Sequence, residues 1–180
     1  MTYHVLFNPH AGNGRGTEAA QKLNALLPDG ELHFYDITAI GDYGAFFAAL
    51  PADDRVVIAG GDGTLNRFIN DTAVLQIGQS VYYFATGSGN DFFTDIGGKA
   101  GDAPRCIDRY LTELPSVYVN GERRYFLNGI GYGIDGYCCL EGDRLRATST
   151  KPVNYTSIAV KGLLFHYKPT SAIVTVDGVK

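Results

Sequence analysis

The chain of 180 residues lacks the features that mark three large classes of protein. It has no Lys- or Arg-rich block and a net charge of -4, which argues against nucleic acid as the main partner, because duplex binding depends largely on neutralising phosphates. It has no signal-peptide core after Met1 and no run of about 18 apolar residues that could span a bilayer. Its three cysteines have neither disulfide nor zinc spacing. These absences predict a cytoplasmic protein without a transmembrane segment.

Glycine, in contrast, is abundant. The sequence contains 23 glycines, and they cluster at the ends of apolar runs instead of forming one low-complexity tract. Because glycine has no Cβ, it lets the backbone turn sharply and approach a ligand closely. The placement of the glycines therefore predicts turns that contact a ligand.

The first two-thirds of the chain alternates short apolar runs with helical patterns, which predicts an α/β fold with a mostly parallel sheet. The predicted strands cover residues 3–7, 31–37, 55–59 and 81–84. The predicted helices cover residues 17–27, 42–50, 64–74 and 104–111. Thr17 and Asp42 are the expected N-caps of the first two helices, and residues 8–16 are the expected loop before them.

The pattern changes after residue 114. Two short runs flank Asn120-Gly121, a pair that suits a tight type I′ turn, so residues 117–128 predict a β-hairpin. Near-alternating residues continue to about residue 137, a helix is predicted at 153–165, and a strand at 171–176. These features predict an α/β domain over residues 1–115 and the incomplete start of a β-rich domain over 116–180, truncated at Lys180.

Four loops follow the predicted strands, and in a parallel sheet such loops converge on one edge, where ligands bind. They are residues 8–16, the segment with Thr38 and Asp42, residues 60–64 and residues 86–91. Glycine with small polar side chains exposes backbone N–H groups to phosphate oxygens. The loops therefore predict a phosphate site, with His10 and Arg15 either part of it or simply exposed.

The third loop, Gly60-Gly61-Asp62-Gly63-Thr64, carries the most chemical information. Its glycines would let an anion lie against the backbone, and the following helix would direct free N–H groups towards that anion. The Asp62 carboxylate would repel phosphate, so it suits Mg²⁺ binding or polarisation of a hydroxyl nucleophile. The alternative from this motif alone is a tight turn in which Asp62 caps the next helix.

Three ordered motifs give the chain a resemblance to diacylglycerol kinases and related lipid kinases. They are Asn8-Pro9-x-Ala11-Gly12-x-Gly14-Arg15, then residues 60–66, then residues 86–92. The segment from Phe126 to Asp135 is also similar to the start of that family's second domain. The resemblance implies a Rossmann-like three-layer domain, similar to phosphofructokinases and NAD kinases, followed by a β-sandwich domain, with ATP in the cleft between them.

The resemblance also implies transfer of the ATP γ-phosphoryl group, with Mg²⁺, to the hydroxyl of diacylglycerol or a related lipid alcohol. Asp62 would be catalytic and a metal ligand. The implied ATP-binding residues are Asn8, Pro9, His10, Ala11, Gly12, Thr38, Gly60, Gly61, Asp62, Gly63, Thr64, Leu65, Asn66 and Thr86. The implied substrate or cleft residues are Gly87, Asn90 and Asp91. A peripheral position at the inner face of a membrane follows, and a homodimer is left open.

Two departures from the family pattern affect the expected active edge. Arg67 stands where the family usually has glutamate, so a capping box with Thr64 is absent, and Arg67 either faces nucleotide phosphate or has no evident role. Phe93-Thr94 replaces the frequent Ala-Arg. A late acidic residue, proposed in the family as general base, and a structural metal site would fall beyond Lys180. Residues 1–180 alone are therefore expected to bind nucleotide weakly, if at all, and to turn over little or no lipid.

Two other functions compete with the lipid kinase. NAD-kinase-like phosphorylation of a soluble nucleotide would use the same Gly-Gly-Asp-Gly core, although the loops at 8–16 and 86–91 favour a lipid acceptor. A catalytically silent nucleotide-binding protein would be consistent with Arg67 and the early stop.

Overall fold

The computed structural model describes residues 1–87, 89–148, 153–166, 168 and 173. Ser88 of the fourth predicted loop lies outside the described residues, and so does the predicted strand at 171–176 apart from Ile173. The chain divides into two compact units, Met1–Asn128 and Gly129–Lys180. The predicted domain boundary after residue 115 remains a prediction.

The described part of the first unit contains a five-stranded sheet in the order β2-β1-β3-β4-β5. Its strands are β1 (Thr2–Phe7), β2 (Glu31–Asp36), β3 (Arg55–Gly60), β4 (Ser80–Ala85) and β5 (Arg105–Cys106). Strand β1 pairs in parallel with β2 and β3, β3 pairs in parallel with β4, and β5 is antiparallel to β4. The predicted mostly parallel sheet is therefore confirmed.

Helices cover both faces of this sheet. They are α1 (Ala11–Gly14), α2 (Gly16–Gln21), α3 (Leu23–Leu26), α4 (Tyr43–Ala48), α5 (Asp62–Thr72), α6 (Asp91–Asp95) and α7 (Asp108–Leu111). One apolar cluster joins Leu6 and Ile58 of the sheet to Phe68 of α5. The other joins Val5 and Val57 to Leu23 of α3. The three-layer Rossmann-like arrangement expected from the resemblance is thus confirmed.

Local sequence explains the best-predicted elements. Strand β3 is apolar and β-branched, and it is buried from Val56 to its end because both faces of the sheet are covered. The Asp42 carboxylate accepts a hydrogen bond of 2.9 Å from the N–H of Ala45, so the predicted cap of α4 is confirmed.

The predicted start of the first helix is wrong, because tertiary packing sets it. Residues 8–16 include the short helix α1, and α2 then begins at Gly16, with Arg15 at the N-cap position and no side-chain cap. A Cβ on Gly16 would lie 1.8 Å from the carbonyl oxygen of Asn8. The close approach of these two backbones fixes the helix start one residue before Thr17, and the predicted single helix is divided at Lys22.

The predicted helix over 104–111 is also wrong in its first half. Arg105 and Cys106 form strand β5 against Tyr83 and Tyr82 of β4, where they pair backbone groups of an otherwise open sheet edge. Helix α7 begins only at Asp108, whose carboxylate accepts a hydrogen bond of 2.7 Å from the N–H of Val81.

The predicted hairpin is confirmed as β6 (Ser116–Val119) and β7 (Glu122–Tyr125). Asn120 and Gly121 have φ angles of 52° and 86°, as a type I′ turn requires. Asn70 of α5 holds the hairpin from the side, because its amide donates to the carbonyl of Tyr125 at 2.9 Å and accepts from the N–H of Tyr125 at 2.9 Å.

The elements found among the described residues of the second unit are helical, namely α8 (Ile134–Thr148), α9 (Tyr155–Lys161) and a π-helical turn, Gly162–His166. The alternating pattern predicted to about residue 137 therefore gives way to helix at Ile134. A sandwich domain is not seen among these residues and stays a prediction. No helix in the described ranges has the length and apolar character needed to cross a membrane.

Candidate active site

The candidate site lies at the carboxyl ends of β1, β3 and β4. The N–H of Asn8, just after β1, donates to the carbonyl of Ala59 at 3.2 Å, and the N–H of Thr86, just after β4, donates to the carbonyl of Gly60 at 2.8 Å. The chain leaves β1 towards β2 on one side and reaches β3 on the other, so the crevice between β1 and β3 is a topological switch point. Ligands of open α/β sheets bind at such crevices.

Asn8 connects the first loop to helix α5. Its amide nitrogen donates to the hydroxyl of Thr64 at 3.0 Å, and its amide oxygen accepts from the N–H of His10 at 2.9 Å. Helix α5 starts at Asp62, two residues earlier than predicted, because the carbonyl of Gly61 already accepts from the N–H groups of Thr64 and Leu65. Helix α5 thus begins directly after β3, at the crevice, where the positive end of the helix dipole favours an anion.

Two glycines let the third and fourth loops touch through their backbones. A Cβ on Gly87 would lie 2.5 Å from the Cα of Gly61, and a Cβ on Gly61 would lie 3.1 Å from the Cα of Gly87. The first loop approaches similarly, since Gly12 has a φ of +58° and a Cβ there would lie 3.2 Å from the carbonyl oxygen of Thr86. At Gly61, Gly87 and Gly12 the three loops consequently approach one another through their backbones.

Asp62 fixes the fourth loop. One carboxylate oxygen accepts from the N–H of Asp91 at 2.8 Å and the other from the N–H of Phe92 at 3.3 Å, so Asp62 caps the start of α6. Asn90, at a φ of 58°, completes the turn by exchanging two hydrogen bonds with the backbone of Gly87. The sequence alternative had Asp62 capping its own following helix, whereas the helix that it caps belongs to the neighbouring loop.

Tyr83 supports the third loop from the core. Its hydroxyl is fully buried and donates to the carbonyl of Gly60 at 3.2 Å. Burial, and secondarily the negative charge of Asp62, raise the pKa of Tyr83 well above its ordinary value. The phenol therefore remains a neutral hydrogen-bond donor, which keeps Gly60 in place beneath the crevice.

A cavity of about 80 Å³ opens beside Asn8 and Thr64, and its lining also includes Thr38, Tyr43, Gly63 and Arg67. Thr38 is held by Asp36, which accepts from the Thr38 N–H at 2.8 Å and from its hydroxyl at 2.7 Å. These hydrogen bonds lower the pKa of the Asp36 carboxyl. The Asp36 carboxylate therefore holds Thr38 in its position at the cavity.

A larger groove of about 590 Å³ lies elsewhere, near the amino end of β4, and is lined by residues such as Thr72, Gln79 and Leu111. None of the residues predicted to bind ATP or substrate lines it. Because Asn8 of the first loop and Gly63 and Thr64 at the start of α5 line the other cavity, that smaller one is the candidate active site.

The predicted residues do not all face the crevice. Leu65 of α5 is fully buried, so its side chain packs in the core. His10 and Asn66, in contrast, are exposed. Phe92 and Phe93, which follow the fourth loop, are buried in the core. The site roles of the predicted residues remain predictions.

Sequence reasoning missed Tyr43, Tyr83 and Asp36. Tyr43 and Tyr83 sit inside apolar runs and carry no signal that distinguishes them from core residues. Asp36 precedes Thr38 by two residues at the end of a strand, a spacing typical of a side chain that accepts from the backbone two residues on. That spacing could have identified Asp36.

Fold and site together define a Rossmann-like α/β domain with glycine loops at a topological switch point, and comparison with known proteins names its family. The family model described as diacylglycerol kinase catalytic domain matches residues 2–117, so the chain belongs to that family and carries a lipid-kinase-type phosphotransferase domain. A diacylglycerol kinase of Bacillus subtilis (strain 168) is 30% identical over 137 residues. The match covers 72% of this chain and 45% of that relative. No solved structure matches the chain.

The sequence resemblance is thereby confirmed at the level of the family. The chain spans less than half the length of the curated relative that it matches. The activity, substrate and partners of the whole protein are therefore matters for proposal.

Proposed function

We propose that this chain forms the nucleotide-binding part of an ATP-dependent lipid kinase. The observation that carries the proposal is the backbone contact between Gly61 and Gly87, which brings two glycine loops and the start of α5 to one switch point. Phosphoryl transfer depends mainly on holding the phosphates in position and on offsetting their negative charge. This arrangement supplies backbone N–H donors that would serve both purposes. ATP is the proposed nucleotide because the family is a kinase family.

In the proposed reaction, an oxygen of the lipid hydroxyl attacks the γ-phosphorus of ATP. The bond from that phosphorus to the β,γ-bridging oxygen breaks, and ADP leaves with the electron pair. The hydroxyl proton passes to a base. Asp62 is the proposed residue at this step, since a carboxylate has about four lone-pair positions and the two N–H groups of α6 occupy only part of them.

A Mg²⁺ ion at this site would neutralise phosphate charge and would need oxygen ligands from the protein or the nucleotide. In the part of the chain that the structure describes, no group of three or more His, Cys, Asp or Glu side chains is placed to hold a metal. Magnesium in such sites is commonly held by one or two carboxylates together with substrate phosphates. Asp62 fits that mode only with the nucleotide present.

A second observation suits a nucleotide. The hydroxyl oxygen of Thr86 is buried and has no hydrogen-bond partner among the described residues. A buried hydroxyl without a partner is costly, so a ligand group that completes its hydrogen bonding would be favoured. The proposed ligand is a polar part of ATP, held between the loop after β4 and the first loop.

The acceptor is proposed to be diacylglycerol or a related lipid alcohol presented at a membrane surface. This part of the proposal follows from the family, and the relative named above is a diacylglycerol kinase. A peripheral position at the inner face of a membrane would bring the enzyme to that acceptor.

The test is a kinase assay of the full-length native protein with γ-labelled ATP and three acceptors offered separately, namely diacylglycerol, sphingosine and NAD. Label should appear in a lipid phosphate and not in NADP. Label transfer to NAD alone would replace the proposal with an NAD-kinase-like function. Tight ATP binding without transfer to any acceptor would favour a silent nucleotide-binding protein.

A further inference from the structure

Arg67 lines the candidate site, and the proposed chemistry does not use it. It lies on α5 on the same face as Gly63 and Thr64, since residues three and four apart share a helix face. All three line the 80 Å³ cavity with Asn8 and Thr38. Side chains on a helix lean towards its N-terminus, which here is the end that faces the crevice.

The charge of Arg67 is only weakly engaged. Within the described ranges its one ion pair is with Asp71, at 3.5 Å from Nε to the carboxylate oxygen, and 76% of its side chain is exposed. A basic residue four positions before an acidic one is also the less favourable orientation of such a pair on a helix. Arg67 can therefore leave Asp71 at little cost.

The neighbouring groups place both charges at the cavity. Tyr43 lines the cavity, and its pKa is raised overall. Burial is the main cause and the negative charge of Asp71 the second, while the positive charge of Arg67 opposes the shift. Asp36, which holds the cavity residue Thr38, already accepts from the hydroxyl and N–H of Thr38. An incoming anion would thus compete with Asp71, and not with Asp36, for the guanidinium.

The size of the cavity restricts what Arg67 can contact. At about 80 Å³ it is far smaller than the roughly 300–1,000 Å³ of a whole small-molecule site. It can hold one group of a ligand whose remainder lies along the glycine loops. A guanidinium matches the oxygens of a phosphate through two parallel hydrogen bonds, which suits such a group.

We propose that Arg67 exchanges Asp71 for a phosphate group of the nucleotide and thereby makes the site prefer nucleoside triphosphates to the nucleoside. This inference rests on the proposed function, because it assumes that the crevice binds a nucleotide. It assigns a specificity-determining role to a residue outside the set predicted to bind ATP.

The experiment measures dissociation constants of ATP, ADP and adenosine for the 180-residue chain by titration calorimetry, using millimolar ligand. Variants are Arg67→Gln, Arg67→Glu and Arg67→Lys. Arg67→Gln should lower the affinity for ATP by about tenfold to a hundredfold, the usual range for a lost charged hydrogen bond. It should lower the affinity for adenosine by less than about twofold. Arg67→Glu should weaken ATP further, and Arg67→Lys should be intermediate because lysine keeps the charge without the fork.

Two controls separate a ligand contact from a structural role. Asp71→Asn should raise the affinity for ATP by about twofold, since it removes a carboxylate that competes weakly for the Arg67 guanidinium. The effect should be seen only when Arg67 is present. Arg124→Gln removes an exposed arginine that pairs with Glu122 on the hairpin, so it should leave all three affinities unchanged.

The outcomes are distinguishable. If the wild-type chain prefers ATP to adenosine and the Arg67 variants bind ATP with the wild-type affinity, this inference is overturned and the proposed function is left intact. Equal losses for ATP and adenosine would also overturn it, because they would indicate a structural role. A wild-type chain that binds ATP no more tightly than adenosine would sink both.

Discussion

The two ends of the parallel sheet use polar residues in opposite ways. At the amino end, His4 is buried and bonds to the Asp54 carboxylate at 2.9 Å and to the Tyr35 hydroxyl at 3.2 Å. Arg55 donates to the Tyr3 hydroxyl at 3.1 Å and lies over the Tyr3 ring. These side chains satisfy one another within the protein.

At the carboxyl end, the polar groups are arranged around a space. Glycines bring the loops together, Thr86 keeps a buried hydroxyl without a partner among the described residues, and Arg67 is largely exposed. The difference indicates that polar residues at the amino end stabilise the fold, whereas those at the carboxyl end are placed for a ligand. Substitutions at matched positions of the two ends test this division.

The largest expected effect compares two carboxylates at opposite ends of the sheet, Asp62, which accepts from two backbone N–H groups, and Asp54, which contacts a ring nitrogen of His4. Asp62→Ala in the full-length protein should lower kcat by about 100-fold or more, if Asp62 acts on the hydroxyl proton, and should cost about 1 kcal/mol of stability as a lost cap. Steady-state kinetics and urea unfolding measure the two effects.

Asp54→Ala is the matched control. It leaves buried His4 without its acid partner, so it should destabilise the protein by about 1–3 kcal/mol while the folded fraction keeps its kcat. Unchanged turnover in Asp62→Ala would remove the proposed catalytic role.

The next effect concerns the amino end alone. His4→Ala should lower the free energy of unfolding by about 2–3 kcal/mol, because it creates a cavity and leaves Asp54 and Tyr35 unpaired. Urea unfolding measures the change, and nucleotide affinity of the folded protein should not move. His10→Ala, in the exposed first loop, should change stability by less than about 0.5 kcal/mol. A similar stability loss in both variants would contradict the division between the two ends.

A third comparison uses two glycines. Gly87→Ala places a Cβ 2.5 Å from the Cα of Gly61, so the loops must separate, and ATP affinity should fall by about tenfold or more. Gly78→Ala, before β4, meets no atom within 4 Å and should be neutral or stabilise by about 0.4–1 kcal/mol. Calorimetric titration of ATP checks the first and thermal unfolding the second; equal ATP affinity in both would argue against the loop contact as a binding element.

The smallest effect is a titration. The pKa of Asp36 lies below its ordinary 3.8 because the Thr38 hydroxyl and N–H donate to it, so this stabilisation is complete above about pH 4 and is lost as pH falls through the lower folded value. Thr38→Val removes the hydroxyl donor and keeps the N–H. The Asp36 pKa, followed by carboxyl carbon NMR, should rise towards 3.8; no change would show that the hydroxyl does not hold this carboxylate.

Much of the fold could be predicted from local sequence. Strand β3, the Asp42 cap and the Asn120-Gly121 turn all follow from propensities that act within a few residues. The wrong predictions fall where distant segments decide. Helix α2 begins at Gly16 because that residue packs on Asn8. Arg105 belongs to a strand because β4 has an open edge with which it can pair.

The candidate site shows the same limit. The sequence identified three glycine loops, because glycine patterns are local, and a confirmed family resemblance followed from their order. It could not identify that Asp62 caps α6, because the N–H groups of Asp91 and Phe92 are about 30 positions away along the chain.

The sequence by itself determined which residues have the backbone freedom and chemistry for a phosphate site, since those are properties of single residues and short turns. Only the tertiary structure decided which of them meet. Parallel pairing of β1, β3 and β4 brings Gly61 against Gly87 and Asn8 against Thr64, and it puts Arg67 beside Thr38. Such contacts depend on strand order and register, which no local pattern encodes.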